Sequence, residues 1–380
     1  MPRGELVRLV SMQLLANACL TGMRMAAPLH ALRLGHGEVA VGTLLALFSV
    51  SQVFLALPAG RYCERHGLKR PVVFGILGIV AGGAIAAIWP VLPTLCIGAV
   101  LTGGGNGIVS IAVQRQVGRI AGAAAALRTS FSWLATGLAL SNVLGPVVAG
   151  VMLDVWGIRA AFAATAALPL LACMLLPGAT DLVAGAARAP QVPGDAWDLW
   201  RNPDLRRLLC ITCVLAACWD VHIFLVPVLG NERGLPASVI GTIVGAFGAA
   251  AAAVRLLTPL VAARLREWAI LFTAMLGTAI VFALYPLMPA ALAMGACSVL
   301  LGFTMGSTQP MVMSLLNQLT PQHRFGEAVA MRVMVNNVSS VGVPMLCGLA
   351  GSVLGAMGVF WGAGLVVGAA SRLALKLGTP

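Results

Sequence analysis

Charge is scarce in this chain. Only 9% of its 380 residues are Asp, Glu, Lys or Arg, against about 25% in ordinary soluble domains, which excludes a fold wrapped in a charged, water-facing shell. Acids are the scarcer sign, 12 against 24 lysines and arginines, and aromatics make up only 6%. With no basic patch carrying interleaved aromatics, the formal charge of +12 does not describe a nucleic-acid binder. A disulfide framework is excluded too. The nine cysteines are odd in number, and all but Cys63 lie in apolar stretches (Cys19, Cys96, Cys173, Cys210, Cys213, Cys218, Cys297, Cys347), as small buried residues do. Cys210 and Cys213 have Cys-x-x-Cys spacing, but inside an apolar segment with no partner cluster, so neither a metal site nor a cofactor is expected. No stretch is long and polar enough for a soluble catalytic domain, and the chain does not read as an enzyme.

What is abundant is apolar. Hydrophobic residues make up 59% of the sequence, in long runs divided by short clusters of Arg, Pro and Gly, and this predicts an all-α membrane protein. Twelve spans are expected, near 8–31, 39–59, 71–89, 92–113, 130–153, 158–177, 206–229, 239–259, 268–288, 290–314, 333–352 and 355–374. The tightest seams are marked only by Pro90, Gly157 and Pro289. The first run is too long for a secretory signal, carries Arg24 and Pro28, and is followed by further spans, so it reads as an uncleaved first helix.

Orientation follows from the cations. With the N-terminus inside, nineteen lysines and arginines, Arg332 among them, fall on the cytoplasmic side, and only Arg33, Arg159 and Arg233 fall opposite. Both termini are expected in the cytoplasm of a bacterial-type inner membrane.

The longest polar stretch, 178–205, is rich in proline and carries Trp197 and Trp200 before Asn202 and Pro203, which are suited to start a helix. It reads as a cytoplasmic linker between six-helix bundles at 1–177 and 206–380. These bundles are repeats. Shifted by 199 residues, Cys19, Pro28, Gly35, Gly42, Thr43 and Phe48 fall on Cys218, Pro227, Gly234, Gly241, Thr242 and Phe247. Shifted by 198, Ser141, Pro146, Gly150, Gly157 and Phe162 fall on Ser339, Pro344, Gly348, Gly355 and Phe360. An even number of spans per copy gives both the same orientation and favours a cleft between them.

The first span shows what faces that cleft. Gln13, Asn17, Thr21, Arg24 and Pro28 fall within roughly 80° of one helix face, a polar stripe on an otherwise greasy helix. The repeat places Asp220 of the seventh span at the position of Thr21, one turn from Arg24. Asp220 is also the one acid expected near mid-membrane, so an ion pair or water-bridged pair with Arg24 is feasible. Two readings stand: Asp220 is a protonation site tuned by Arg24, or the two form a permanent structural salt bridge. His222 lies roughly 160° round the helix from Asp220 and is expected to face a neighbouring helix or a membrane interface, with a proton role as the alternative. Asn106, Gln114 and Gln309 join Asn17, Thr21, Arg24 and Asp220 as candidate substrate-binding residues, with Asn142, Trp133 and Trp219 behind them; for each, interhelical hydrogen bonding is the alternative. Arg255 is expected to snorkel to headgroups or to hold an inner gate.

Between the second and third spans stand Gly60, Glu64, Arg65, Gly67, Leu68, Lys69 and Arg70. This stretch resembles the signature loop of the major facilitator superfamily, with Glu64 where Asp is usual and Leu68 replacing a common arginine. The resemblance implies the major facilitator fold, close helix contact at Gly60, and a charge-relay latch at Glu64 and Arg65; topology-setting charge alone is the other reading. Gly145, Pro146 and Gly150 in the fifth span are similar to the motif of drug-proton antiporters, with Ser141 at the leading glycine. Ala99, Val100 and Leu101 stand where such antiporters usually carry an arginine.

The expectation is therefore a monomeric secondary transporter that moves a small amphipathic or aromatic solute outward in exchange for protons, with lipids as its surroundings. The alternatives are proton-coupled or facilitated uptake of a small metabolite, neutral or anionic, in which a substrate carboxylate could pair with Arg24, and a transporter-like sensor or lipid-binding scaffold.

Overall fold

The computed structural model describes residues 3–121, 124–181, 201–262, 266–321 and 324–377. Trp197, Trp200 and the rest of the expected linker core lie outside these. Ten α-helices make up the described chain: α1 Arg3–Arg33, α2 Glu38–His66, α3 Lys69–Ile88, α4 Leu92–Ala121, α5 Ala124–Leu175, α6 Pro203–Glu232, α7 Ala237–Ala262, α8 Glu267–Leu284, α9 Ala291–Leu319 and α10 Phe325–Leu377. Each contains a stretch long and apolar enough to cross a membrane.

Two of the ten are interrupted. α5 breaks at Gly157 (φ 81°) and α10 at Gly355 (φ 68°), positions at which a side chain would be strained. The positive-φ turns Gly35 (82°) and Gly234 (67°) fall after α1 and α6, so these four glycines recur at the two offsets read from the sequence. Asn202 starts α6 as expected: its side chain accepts from the amides of Asp204 (3.0 Å) and Leu205 (3.4 Å), with Pro203 in the first turn.

Helix limits differ from the sequence reading in three useful ways. α2 continues through the stretch read as a loop as far as His66, because nothing before Gly67 (φ 74°) breaks it. α10 begins at Phe325 instead of 333, so Arg332 lies within a helix and not in a cytoplasmic loop. Residues 178–181, read as linker, dock on the first segment instead. Arg8 donates to the Gly178 carbonyl, Glu5 accepts from Thr180, Gln116 donates to the Thr180 carbonyl at 2.5 Å, and Asp181 accepts from the Leu68 amide at 2.6 Å.

Small residues bring the helices together. A Cβ added at Gly75 would stand 2.7 Å from the Gly105 carbonyl oxygen, and one at Gly82 would stand 2.8 Å from that of Gly98, so α3 and α4 touch backbone to backbone. Between the segments before 182 and after 200, α5 packs on α7 and α2 on α10. At the end that holds Gly157 and Gly355 these contacts are reciprocal. Gly42 meets the Pro344 carbonyl and Gly241 that of Pro146, while Gly150 meets the Ala237 carbonyl and Gly348 that of Glu38. Asp154 closes the same end, accepting from the amides of Ala237 (3.0 Å) and Ser238 (2.6 Å) at the start of α7. The opposite end carries most of the cations and is called the basic end below.

Candidate functional site

Arg24 and Asp220 meet across the two segments, Nη2 to Oδ1 at 3.4 Å. Asp220 is buried, its side chain 5% exposed against 19% for Arg24. Its second oxygen accepts from Ser340 of α10 at 3.0 Å, so helices from both segments converge on one carboxylate. A separation of 3.4 Å exceeds the roughly 2.7–2.9 Å of a tight charge-assisted bond, and the pair is loosely held.

The pair lies at the wall of a cavity of about 260 Å³ lined chiefly by α6, α7, α9 and α10. Leu215, Trp219, Met305 and Val312 supply its apolar surface; Thr212, Thr308, Gln309, Asn336 and Ser340 supply hydrogen-bonding groups. Arg255 and Arg332 complete it. Arg332, Arg255 and Val312 stand about two helical turns in from the basic ends of α10, α7 and α9, so the cavity occupies the basic half of the bundle, away from the glycine-packed end. The expectation that Arg255 snorkels to headgroups is corrected by this placement: its guanidinium lies over the Trp219 ring, 5.9 Å from the centroid. A smaller cavity of about 40 Å³ adjoins at Arg24 and Trp219, lined also by Thr21, Asn142, Pro146 and Pro227.

The other sequence candidates divide. Gln309 lines the main cavity and Thr21 the small one. Asn17 and Asn106 instead form hydrogen bonds between helices: Asn106 donates to Asn17 (3.4 Å) and Asn17 to Ser141 (2.6 Å), while Thr21 donates to the Ser141 carbonyl (2.9 Å). This chain ties α1, α4 and α5 into one unit. Gln114 is exposed, donates to Ser110 (2.7 Å) and is not among the cavity-lining residues. It stands about as deep along α4 as Arg255 does along α7, but its side chain is on an exposed face of the helix, away from those residues. His222 faces neighbouring helices as expected, buried beside Ser298 (3.0 Å) and stacked on Phe247 (4.2 Å between centroids).

The gating candidates also divide. Gly145 would clash with Thr21 and the Ala18 carbonyl if it carried a side chain, which holds α5 against α1, and Pro146 and Gly150 belong to the reciprocal end contacts. Gly60 is the correction: a Cβ there would meet nothing within 4 Å, because no neighbouring helix stands over that face of α2 at the basic end in this conformation. Glu64 and Arg70 are exposed; Lys69 reaches the Pro177 carbonyl (3.4 Å) and Arg115 the Glu64 carbonyl (3.4 Å), both within the first segment.

Sequence reasoning missed Arg332, Asn336 and Ser340 as cavity residues. Ser340 had a signal, since the repeat pairs it with Asn142, a candidate already in hand. Arg332 was hidden by its apparent loop position, and Asn336, though inside the expected span 333–352, has no polar counterpart in the repeat, where Leu138 stands.

A search of curated protein sequences returns no match. Among solved structures, a POT family transporter in complex with a thioalcohol-conjugated peptide is 12% identical, superposes with a TM-score of 0.78, and the match covers 98% of this chain and 96% of that one. A POT family transporter bound to 5-aminolevulinic acid is 13% identical (TM-score 0.78; 99% and 96% covered), and the nucleoside transporter NupG is 12% identical (TM-score 0.77; 98% and 98%). At such identities the likeness concerns the fold. The family description of the Major Facilitator Superfamily matches residues 9–344, and with an all-helical membrane bundle around a central polar cavity the chain belongs to that superfamily of transporters.

Proposed function

We propose that this protein is a proton-linked secondary transporter that passes a small solute through the Arg24–Asp220 cavity by alternating access. One observation carries the reading: a loosely held ion pair joins α1 to α6 at the wall of a cavity whose far end is shut. Two six-helix bundles, 1–177 and 206–380, give twelve crossings when Gly157 and Gly355 are counted as turns between spans. The paired positive-φ glycines and the reciprocal Gly42–Pro344 and Gly241–Pro146 contacts support their being repeats related by an axis along the membrane normal. Rocking one bundle against the other would open the glycine-packed end and close the basic one. The basic end is then cytoplasmic in an inner membrane, both termini lie inside, and the conformation seen is inward-facing.

Asp220 serves as the proton site. Protonation weakens its hold on Arg24, which changes how firmly the bundles are joined at mid-depth. Of the two directions considered, export in exchange for protons rests on the Gly145–Pro146–Gly150 resemblance, yet those residues are used here in helix packing. Import of an anionic metabolite has a specific observation behind it, the arginines of the cavity.

The test is reconstitution. Proteoliposomes with an imposed pH gradient should accumulate a solute from a mixed metabolite and drug panel, and an uncoupler should abolish accumulation. Solute movement that ignores the gradient would remove the proton linkage. No movement of any panel compound would favour a sensor or scaffold.

A further inference from the structure

The cavity contains far more positive charge than its one carboxylate can answer. Arg24, Arg255 and Arg332 line it, from α1, α7 and α10, against Asp220 alone. Each guanidinium has a buried Nε without a hydrogen-bond partner, and so does the Oδ1 of Asn336 beside them. Among the described residues Arg255 has the Trp219 ring and no ion pair, and Arg332 makes no ion pair. Guanidiniums withdrawn from bulk water cost several kcal/mol each unless paired, so three converging here with one acid form a site lacking two negative charges.

We infer that the transported solute is a small organic dianion, carrying either two carboxylates or a phosphate monoester, and that it binds together with a proton on Asp220. This rests on the transport reading above. The volume, about 260 Å³, is at or below the small end of the roughly 300–1,000 Å³ range of ligand pockets. With Asp220 protonated, Arg24, Arg255 and Arg332 share the two charges, Thr212, Thr308 and Asn336 offer further hydrogen bonds, and the Trp219 and Met305 side of the cavity takes the carbon skeleton.

The coupling follows from electrostatics. Asp220 faces Arg24 on α1, Ser340 and the nearby Cys347 thiol on α10, and shares the cavity with Arg255 and Arg332. An entering anion competes with Asp220 for Arg24 and repels the carboxylate. A proton on Asp220 removes both the competitor and the repulsion, so anion and proton favour one another's binding. They travel in the same direction. A cationic substrate would do the opposite, competing with the proton as exchange requires.

The test uses purified full-length protein in nanodiscs of zwitterionic lipid. Binding of succinate and phenyl phosphate is compared with that of succinamide, benzyl alcohol and the aromatic cation tetraphenylphosphonium. At least one dianion should bind, its neutral counterpart should not, and binding should draw about one proton from weakly buffered solution. Arg255→Gln and Arg332→Gln should each weaken the anion by at least about tenfold. Asp220→Asn should bind it no more weakly than wild type, with the proton uptake gone, which separates this role from a merely structural one. Tighter binding of the cation than of either dianion, absence of dianion binding, weaker anion binding in Asp220→Asn, or displacement of succinate by phosphatidylglycerol in the nanodisc would each overturn the inference. Proteoliposomes that transport the cation but neither dianion would overturn the substrate class and leave the transport reading standing; failure to transport any compound would end both.

Discussion

The two ends of the bundle are held by different forces. At the Gly157 end, backbone meets backbone at Gly42, Gly150, Gly241 and Gly348, and Asp154 caps the first turn of α7. These contacts are short, apolar or helix-dipolar, and they occur in pairs 199 (Gly42 and Gly241) and 198 (Gly150 and Gly348) residues apart. Towards the basic end the cavity is lined by long cationic side chains, Gly60 faces empty space, and the signature residues bond within their own segment. Close packing shuts one end, and long cationic side chains line the cavity towards the other. Were the protein to rock as proposed, it would need contacts that are strong only at full closure, and small-residue packing has that property, because dispersion is lost within an ångström.

Breaking the packed end is expected to have the largest effect. Gly241→Leu forces a side chain into the Pro146 carbonyl; overpacking of this kind costs about 1–3 kcal/mol, which lowers the population of the shut state by roughly 5- to 150-fold. Thiol labelling of cysteines placed along the α1 stripe, reached from the Gly157 mouth, should rise accordingly. Unchanged labelling would show that the glycine contacts do not seal that mouth.

Next is the ion pair between the ends. Asp220→Asn should abolish proton-driven accumulation in proteoliposomes while expression persists, because the amide keeps the shape and loses the titratable charge. Coupled transport at the wild-type rate would exclude Asp220 from the mechanism. Asp154→Asn should act more mildly: it weakens a helix cap worth about 0.5–2 kcal/mol and should speed opening of the Gly157 mouth, as read by hydrogen exchange at the start of α7. No change in exchange there would mean that the cap contributes little to closure.

The smallest expected effect is at the basic end in the present state. Glu64→Gln leaves every hydrogen bond described here intact, since Arg115 donates to the Glu64 carbonyl and not to its side chain. Its influence should be confined to the opposite conformation, as an altered ratio of labelling at the two mouths. An equal ratio before and after substitution would leave Glu64 a topology-setting charge.

Much of this was visible in the residues themselves. Arg24 and Asp220 are paired as the stripe and the repeat implied, and His222 faces its neighbours. The candidates that went elsewhere, Asn17 and Asn106, are polar residues between helices whose role depends on how each helix is rotated, which local periodicity does not settle. Gln114 failed for the same reason: its depth suits the cavity, but rotation of α4 puts it on an exposed face.

Apolar length and the scarcity of charge determine, without any coordinates, that this chain is a helical membrane protein, and they single out Asp220 as an acid within an apolar run. These are local or periodic properties, carried by each segment on its own. Which mouth is shut, and that Arg255, Arg332, Asn336 and Ser340 gather beside Asp220, is decided only when α6, α7 and α10 pack. Helix rotation and depth are set by contacts between different helices, such as Ser340 with Asp220 and His222 with Ser298, and the composition of any single helix contains no record of them.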